Sequence, residues 1–104
     1  MIPIRNGLWS IRRVAVNADQ TANDDTFRQL IVNGKSVRIE PAGIDFSVNQ
    51  STSKSAILES RSQIFFADFF EHGERLRLTL SRPEFAETVS LDAEYLDVPA
   101  ALYA

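Results

Sequence analysis

Leu30-Ile31-Val32-Asn33-Gly34-Lys35-Ser36-Val37-Arg38-Ile39-Glu40-Pro41-Ala42-Gly43-Ile44-Asp45-Phe46 holds two turn signals inside three alternating runs. Asn33-Gly34 is the preferred sequence for a two-residue type I′ hairpin, whose central residues both need positive φ. That loop sets Leu30 opposite Val37, with Val32 and Ile39 on the same face. The other face receives Gln29, Ile31, Ser36 and Arg38, and is mostly polar. Glu40-Pro41-Ala42-Gly43 fits a type I turn, with proline second and glycine fourth. Pairing outward from it sets Ile39 against Ile44, Val37 against Phe46, and Arg38 against Asp45 as an opposite-charge pair. Two separate turns therefore put Val37 and Ile39 on one buried side.

The same logic extends outward to His72-Gly73, between Ser62–Glu71 and Glu74–Ser81. A two-residue loop there pairs Phe69 with Leu76, Ala67 with Leu78 and Phe65 with Leu80 on an apolar face. The reverse face pairs Asp68 with Arg77, Phe70 with Arg75 and Phe66 with Thr79. A four-residue loop keeps this facing and a three-residue loop breaks it. In Leu8–Val16, Trp9 and Ile11 share one face while Val14 and Val16 fall on the other. A bulge near Arg12-Arg13 restores a single buried face, because it inserts one unpaired residue. Lys54–Glu59 and Glu87–Leu96 complete the strands, with Val89, Leu91, Ala93 and Tyr95 alternating against Ser90, Asp92 and Glu94. Asn17–Thr26 is a long polar connection. Asp24 or Asp25 as cap of a short helix over Thr26–Ile31 competes with the Asn-Gly hairpin, which is the favoured reading. Short strands at this spacing, about eight of them, predict an all-β, antiparallel up-and-down barrel. A β-sandwich remains the alternative, since local pairing does not show whether the first and last strands meet.

A chain of 104 residues fits one domain, with a core over 7–98 and a tail over 99–104. No apolar run approaches the roughly 20 residues of a membrane-spanning helix. The start of the chain lacks the long apolar stretch of a secretory signal, so the expected location is the cytoplasm. The absence of cysteine excludes disulfides, thiolate metal sites and cysteine nucleophiles. A net charge of -3 with dispersed basic residues argues against nucleic acid or an anionic membrane as the main partner.

Gly7-Leu8-Trp9 at the head of the first strand resembles the Gly-x-Trp signature of lipocalins and related calycins. Asn33-Gly34, then Gly73-Glu74-Arg75-Leu76-Arg77-Leu78 and Arg82-Pro83-Glu84-Phe85, extend the likeness to small bacterial lipocalin-like domains of unassigned function. The resemblance spans Gly7 to Tyr95. It implies a barrel whose closed end is plugged by Trp9 and overlaid by a late arginine. Arg82 is a candidate for that arginine, which spacing does not assign. The chain departs from longer, disulfide-bonded lipocalins in having no cysteine.

An eight-stranded barrel either fills its interior with side chains or holds one small ligand. The inward set includes Trp9, Val37, Ile39, Phe46, Phe65, Phe69 and Leu78, the candidates for lining a core or a ligand site. Such large side chains on short strands favour a filled interior. Phe66 and Phe70 fall on the outer face beside Asp68, Arg75 and Arg77. Aromatic and arginine side chains are the usual anchors of protein contacts, so Phe66, Phe70, Arg75 and Arg77 are the interface candidates. Cover by Leu102 and Tyr103 or by Asn17–Thr26 is the plain alternative. His72 is the sole histidine, the side-chain type that changes charge near neutral pH. Its neighbours Glu71 and Glu74 point apart in a turn, and no second histidine completes a metal site. Asp19, Asn23, Asp24 and Asp25 do not follow a calcium-loop spacing. Asn49-Gln50-Ser51 matches a glycosylation sequon, irrelevant to a cytoplasmic chain. With no nucleophile elbow, phosphate loop or dinucleotide fingerprint, the expectation is a protein without catalytic residues, metal or cofactor. Two functions follow: an interaction module using the outer aromatic face on a second copy or another protein, or a binder of a small apolar ligand.

Overall fold

Alternation of apolar and polar residues commits every described segment of length to strand, and the strands close into a barrel. The computed structural model describes residues 4–17, 19–21, 27–84 and 87–96, with backbone only for 19–21. The strands are β1 (Gly7–Val16), β2 (Asp19–Thr21), β3 (Phe27–Asn33), β4 (Ser36–Pro41) and β5 (Ile44–Ser51). They continue as β6 (Ser55–Ser60), β7 (Gln63–His72), β8 (Arg75–Ser81) and β9 (Thr88–Tyr95). All pairings are antiparallel, and each strand from β3 to β8 pairs with the next in sequence. β1 pairs with both β3 and β9, closing eight strands into an up-and-down barrel and excluding the sandwich. The short β2 folds back on the last residues of β1, where Val14 meets Thr21. Strand over Phe27–Asn33 rules out the capped helix. Asn23, Asp24 and Asp25, like Leu102 and Tyr103, lie outside the described residues.

Both glycine hairpins keep the expected facing but shift their partners. Asn33 pairs with Ser36, so the loop is Gly34-Lys35, and Leu30 meets Ile39 while Val32 meets Val37. His72 pairs with Arg75, so the loop is Gly73-Glu74, and Phe69 meets Leu78 while Ala67 meets Leu80. Glycine occupies the first central position in each, at φ +50° and +61°. That is the glycine-first pattern of type II′ rather than the asparagine-glycine pattern of type I′. Moving the loop by one residue moves each partner by two, which preserves the face. The expected pairs Asp68–Arg77, Phe70–Arg75 and Phe66–Thr79 become Asp68–Thr79, Phe70–Arg77 and Phe66–Ser81.

The Pro41 connection gives the expected register, Ile39 with Ile44, Val37 with Phe46 and Arg38 with Asp45. Its closing bond differs from a type I turn, since Gly43 N–H donates to Ile39 O at 3.0 Å. In β1 the register shifts between Ile11 and Arg13 against β9. Arg12 and Arg13 are both exposed there, while Trp9, Ile11 and Val14 are buried. This is the bulge that the sequence requires.

The core is one apolar cluster, including Trp9, Leu30, Val32, Val37, Ile39, Phe46, Leu58, Phe69, Leu76, Leu78, Leu80 and Leu91. No buried polar or charged residue occurs among the described residues. Burial of the large aliphatic and aromatic chains supplies the main driving force, about 1.5–3 kcal/mol for each one fully buried.

Candidate functional site

The two ends of the barrel are built differently. At the end holding the Gly34, Thr52–Lys54 and Gly73 turns, Trp9 is fully buried. Its indole Nε1–H donates to Arg5 O at 3.1 Å. The Tyr95 ring meets it edge-on at 5.0 Å, and the Arg5 guanidinium lies 4.6 Å above the Tyr95 ring. Tyr95 donates its hydroxyl to Asn6 O, and Asn6 Oδ1 accepts from Gly34 N–H. Arg5 also faces Glu71 at 3.8 Å. The residues before β1 thus form a cap over Trp9, which makes this the closed end.

The arginine of that cap is Arg5, reached through Tyr95. Arg82 lies at the other end, with its guanidinium 5.5 Å from the centre of the Phe65 ring and 3.9 Å from Glu84. Spacing did not reveal the exchange, because Arg5 precedes the first strand and joins the cap by folding back.

At the Arg82 end the described residues leave the interior partly open. A partly open cavity of about 350 Å³ is lined by Phe27, Ile39, Ile44, Phe46, Phe65, Leu80, Val89 and Leu91, with Ser81, Arg82 and Glu87 as its polar residues. The volume lies at the lower end of the range of small-molecule sites. Phe46 and Phe65 meet edge-to-face at 5.2 Å and form part of the wall. Of the core-lining candidates, Ile39, Phe46 and Phe65 border this cavity. Trp9, Val37, Phe69 and Leu78 lie in the core without bordering the cavity, whereas Ile39 and Phe46 belong to both. Among the described residues the interior is therefore packed at the Trp9 end and partly open at the other. The alternation of the sequence itself turns Ile44, Leu80, Val89 and Leu91 to the apolar side. What the alternation does not encode is which end lacks a plug.

The interface candidates share one outer surface. Phe66 is 44% and Phe70 68% exposed, and Arg75 and Arg77 are exposed beside them. Arg77 donates Nε–H to Asp92 at 2.8 Å, on β9 rather than to Asp68. That hydrogen bond, with the attraction of the same carboxylate, raises the Arg77 pKa above its ordinary value. Asp68 sits between Ser55 and Thr79 in the sheet. The His72 ring stacks at 6.3 Å on Phe70, and Glu71 turns to Arg5, so the sequence neighbours do not converge. A second groove, on the β5–β7 side, is bordered by Gln50, Thr52, Ile57, Phe66 and Asp68.

Compared with known proteins, the chain matches no family model, no curated protein and no solved structure.

Proposed function

We propose that this protein binds a small, largely apolar molecule in the open end of its barrel, without catalysing a reaction on it. The apolar cavity of about 350 Å³ carries this reading. Void space in a protein interior forfeits dispersion contacts and costs stability, so its retention beside a tightly packed half favours a use. The wall offers aromatic and aliphatic surface, and the polar groups Ser81, Arg82 and Glu87 would fix orientation rather than supply most of the affinity. The order of the two functions expected from sequence is thereby reversed. A Trp-plugged closed end opposite an open one also supports the lipocalin-like resemblance. The lack of cysteine agrees with a reducing compartment, and the cytoplasm is the proposed location.

Native mass spectrometry of freshly purified protein, followed by titration with an apolar fluorescent probe such as 1-anilinonaphthalene-8-sulfonate, tests the reading. The expected result is a co-purifying small molecule or saturable binding of one probe per chain, displaced by apolar competitors. A ligand-free mass together with non-saturable probe fluorescence would overturn it.

A second reading has its own observation. Phe66 and Phe70 present aromatic area to solvent beside two arginines, and that composition is typical of protein contacts. The outer face of β7 and β8 is accordingly proposed as a surface for another protein chain.

A further inference from the structure

We infer that the partner for this outer face is a second copy of the same chain, related by a two-fold axis that runs parallel to β7 and β8 and between them. The inference rests on the second reading above and names its occupant. Along β7 the outward residues are Phe66, Asp68, Phe70 and His72, and opposite them on β8 stand Ser81, Thr79, Arg77 and Arg75. A two-fold contact brings residue i of one copy to residue j of the other and j to i. With the axis between the strands, each residue meets its own cross-strand neighbour from the other chain. Phe70 then faces the other copy's guanidinium at position 77, twice over, and Asp68 faces a threonine hydroxyl, twice over.

Other two-fold axes in the plane of this face oppose like groups. An axis along β7 sets Asp68 on Asp68, and one along β8 sets Arg75 on Arg75 and Arg77 on Arg77. An axis across the strands through the Phe70 row again sets Arg77 on Arg77. One midway between the Phe70 and Asp68 rows sets a carboxylate against the negative face of an aromatic ring. Of these axes, the one between β7 and β8 gives attraction at both ends, through a cation over a ring. Its outer rows set Phe66 on Ser81 and His72 on Arg75 of the other copy.

Two features of the monomer suit that geometry. Phe70, at 68% exposure, is the most exposed of the large apolar side chains among the described residues. The bond from Arg77 Nε to Asp92 holds the guanidinium on the sheet surface. Its flat face remains available for stacking, as planar guanidinium groups allow. The barrel wall is convex, so two strands meeting two strands is the natural extent of such a contact.

Sedimentation velocity over a concentration series tests the pairing, with Trp9 emission as the check that each variant is folded. The chain should reach twice its 11.7 kDa mass. Phe70→Arg, which opposes guanidinium to guanidinium, should weaken association by at least about tenfold, the penalty expected at a central aromatic anchor. Phe70→Arg combined with Arg77→Phe exchanges the members of each pair and should restore the dimer. A chain that stays at monomer mass, or a doubly exchanged variant as monomeric as the single one, overturns the proposal. A photo-crosslinking benzoylphenylalanine at position 70, used in the producing cell, separates the two levels of the claim. Crosslinking to the same chain supports both. Adducts confined to a different protein overturn the homodimer and leave the contact surface standing, and no protein adduct overturns both.

Discussion

Backbone sign at a few residues sets where the turns fall. Gly34 and Gly73 take positive φ at the first position of their loops, whereas Arg61 and Ser62 take positive φ together, at 51° and 66°. The pairing of Ser60 with Gln63 makes Arg61-Ser62 a two-residue hairpin loop with the type I′ sign pattern. The chain thus places its preferred type I′ sequence, Asn33-Gly34, where another turn forms, and forms this one from residues with side chains. An L residue in the left-handed region costs roughly 1–2 kcal/mol relative to glycine. Ser62→Gly is therefore expected to stabilise the fold by about 1 kcal/mol after the larger backbone entropy of glycine is deducted. Gly73→Ala is expected to destabilise it by about 1–2 kcal/mol; an added Cβ there meets nothing within 4 Å, so the effect is conformational and not a clash. Urea unfolding of both variants measures the pair, and equal signs for the two would contradict this account. The same residues mark a limit of sequence reading. Ser62 reads as the start of a strand because neither it nor Arg61 is among the asparagine, aspartate and glycine residues that signal a type I′ loop.

Facing was legible at the scale of the strand, and partner identity was not. Side-chain direction has a period of two, so any loop that changes length or position by an even step in register leaves the buried set intact. Leu30, Val32, Val37 and Ile39 point inward under either placement of the Gly34 loop, although Leu30 exchanges Val37 for Ile39. Outer-face contacts tolerate no such slack, and the Asp68–Arg77 pair was lost through the same two-residue displacement. The bulge in β1 was legible because Trp9 and Ile11 disagree in parity with Val14 and Val16. This parity argument gives a contrast between two deletions. Removing Arg12 takes out the extra residue and leaves Trp9, Ile11, Val14 and Val16 in regular alternation. Removing Ser10 sets Trp9 and Ile11 on opposite faces, so one of two buried side chains must leave the core. The Arg12 deletion should fold, with blue-shifted Trp9 emission. The Ser10 deletion should lose several kcal/mol, as expected when a large core side chain is removed. Two deletions of equal cost would show that the parity of β1 does not govern its burial.

Among the described residues the barrel combines a plugged end with a partly open one, and the difference decides what the candidate site is. Alternation marks a residue as inward, but occupancy of the interior depends on what each end supplies. Trp9, Tyr95 and the Arg5 backbone converge at one end, and Arg82 stands with Phe65 at the cavity. Neither arrangement follows from strand periodicity, since Arg5 and Arg82 both lie outside the strands. A binding cavity of this kind sets stability against function, because filling it should gain dispersion contacts and remove the space for a ligand. Val89 is half-buried and lines the cavity between Leu80 and Val16 in the sheet. Val89→Trp places an indole in that space. Each kcal/mol so gained should raise Tm by about 4–8 °C for a domain of this size, while probe binding falls or disappears. If the interior were already filled, the same substitution would overpack it and cost about 1–3 kcal/mol. Calorimetry of the ligand-free protein therefore distinguishes an available cavity from a closed core by the sign of the shift. A rise in Tm with probe affinity unchanged would place the bound probe elsewhere on the molecule and remove the barrel interior as the site of binding.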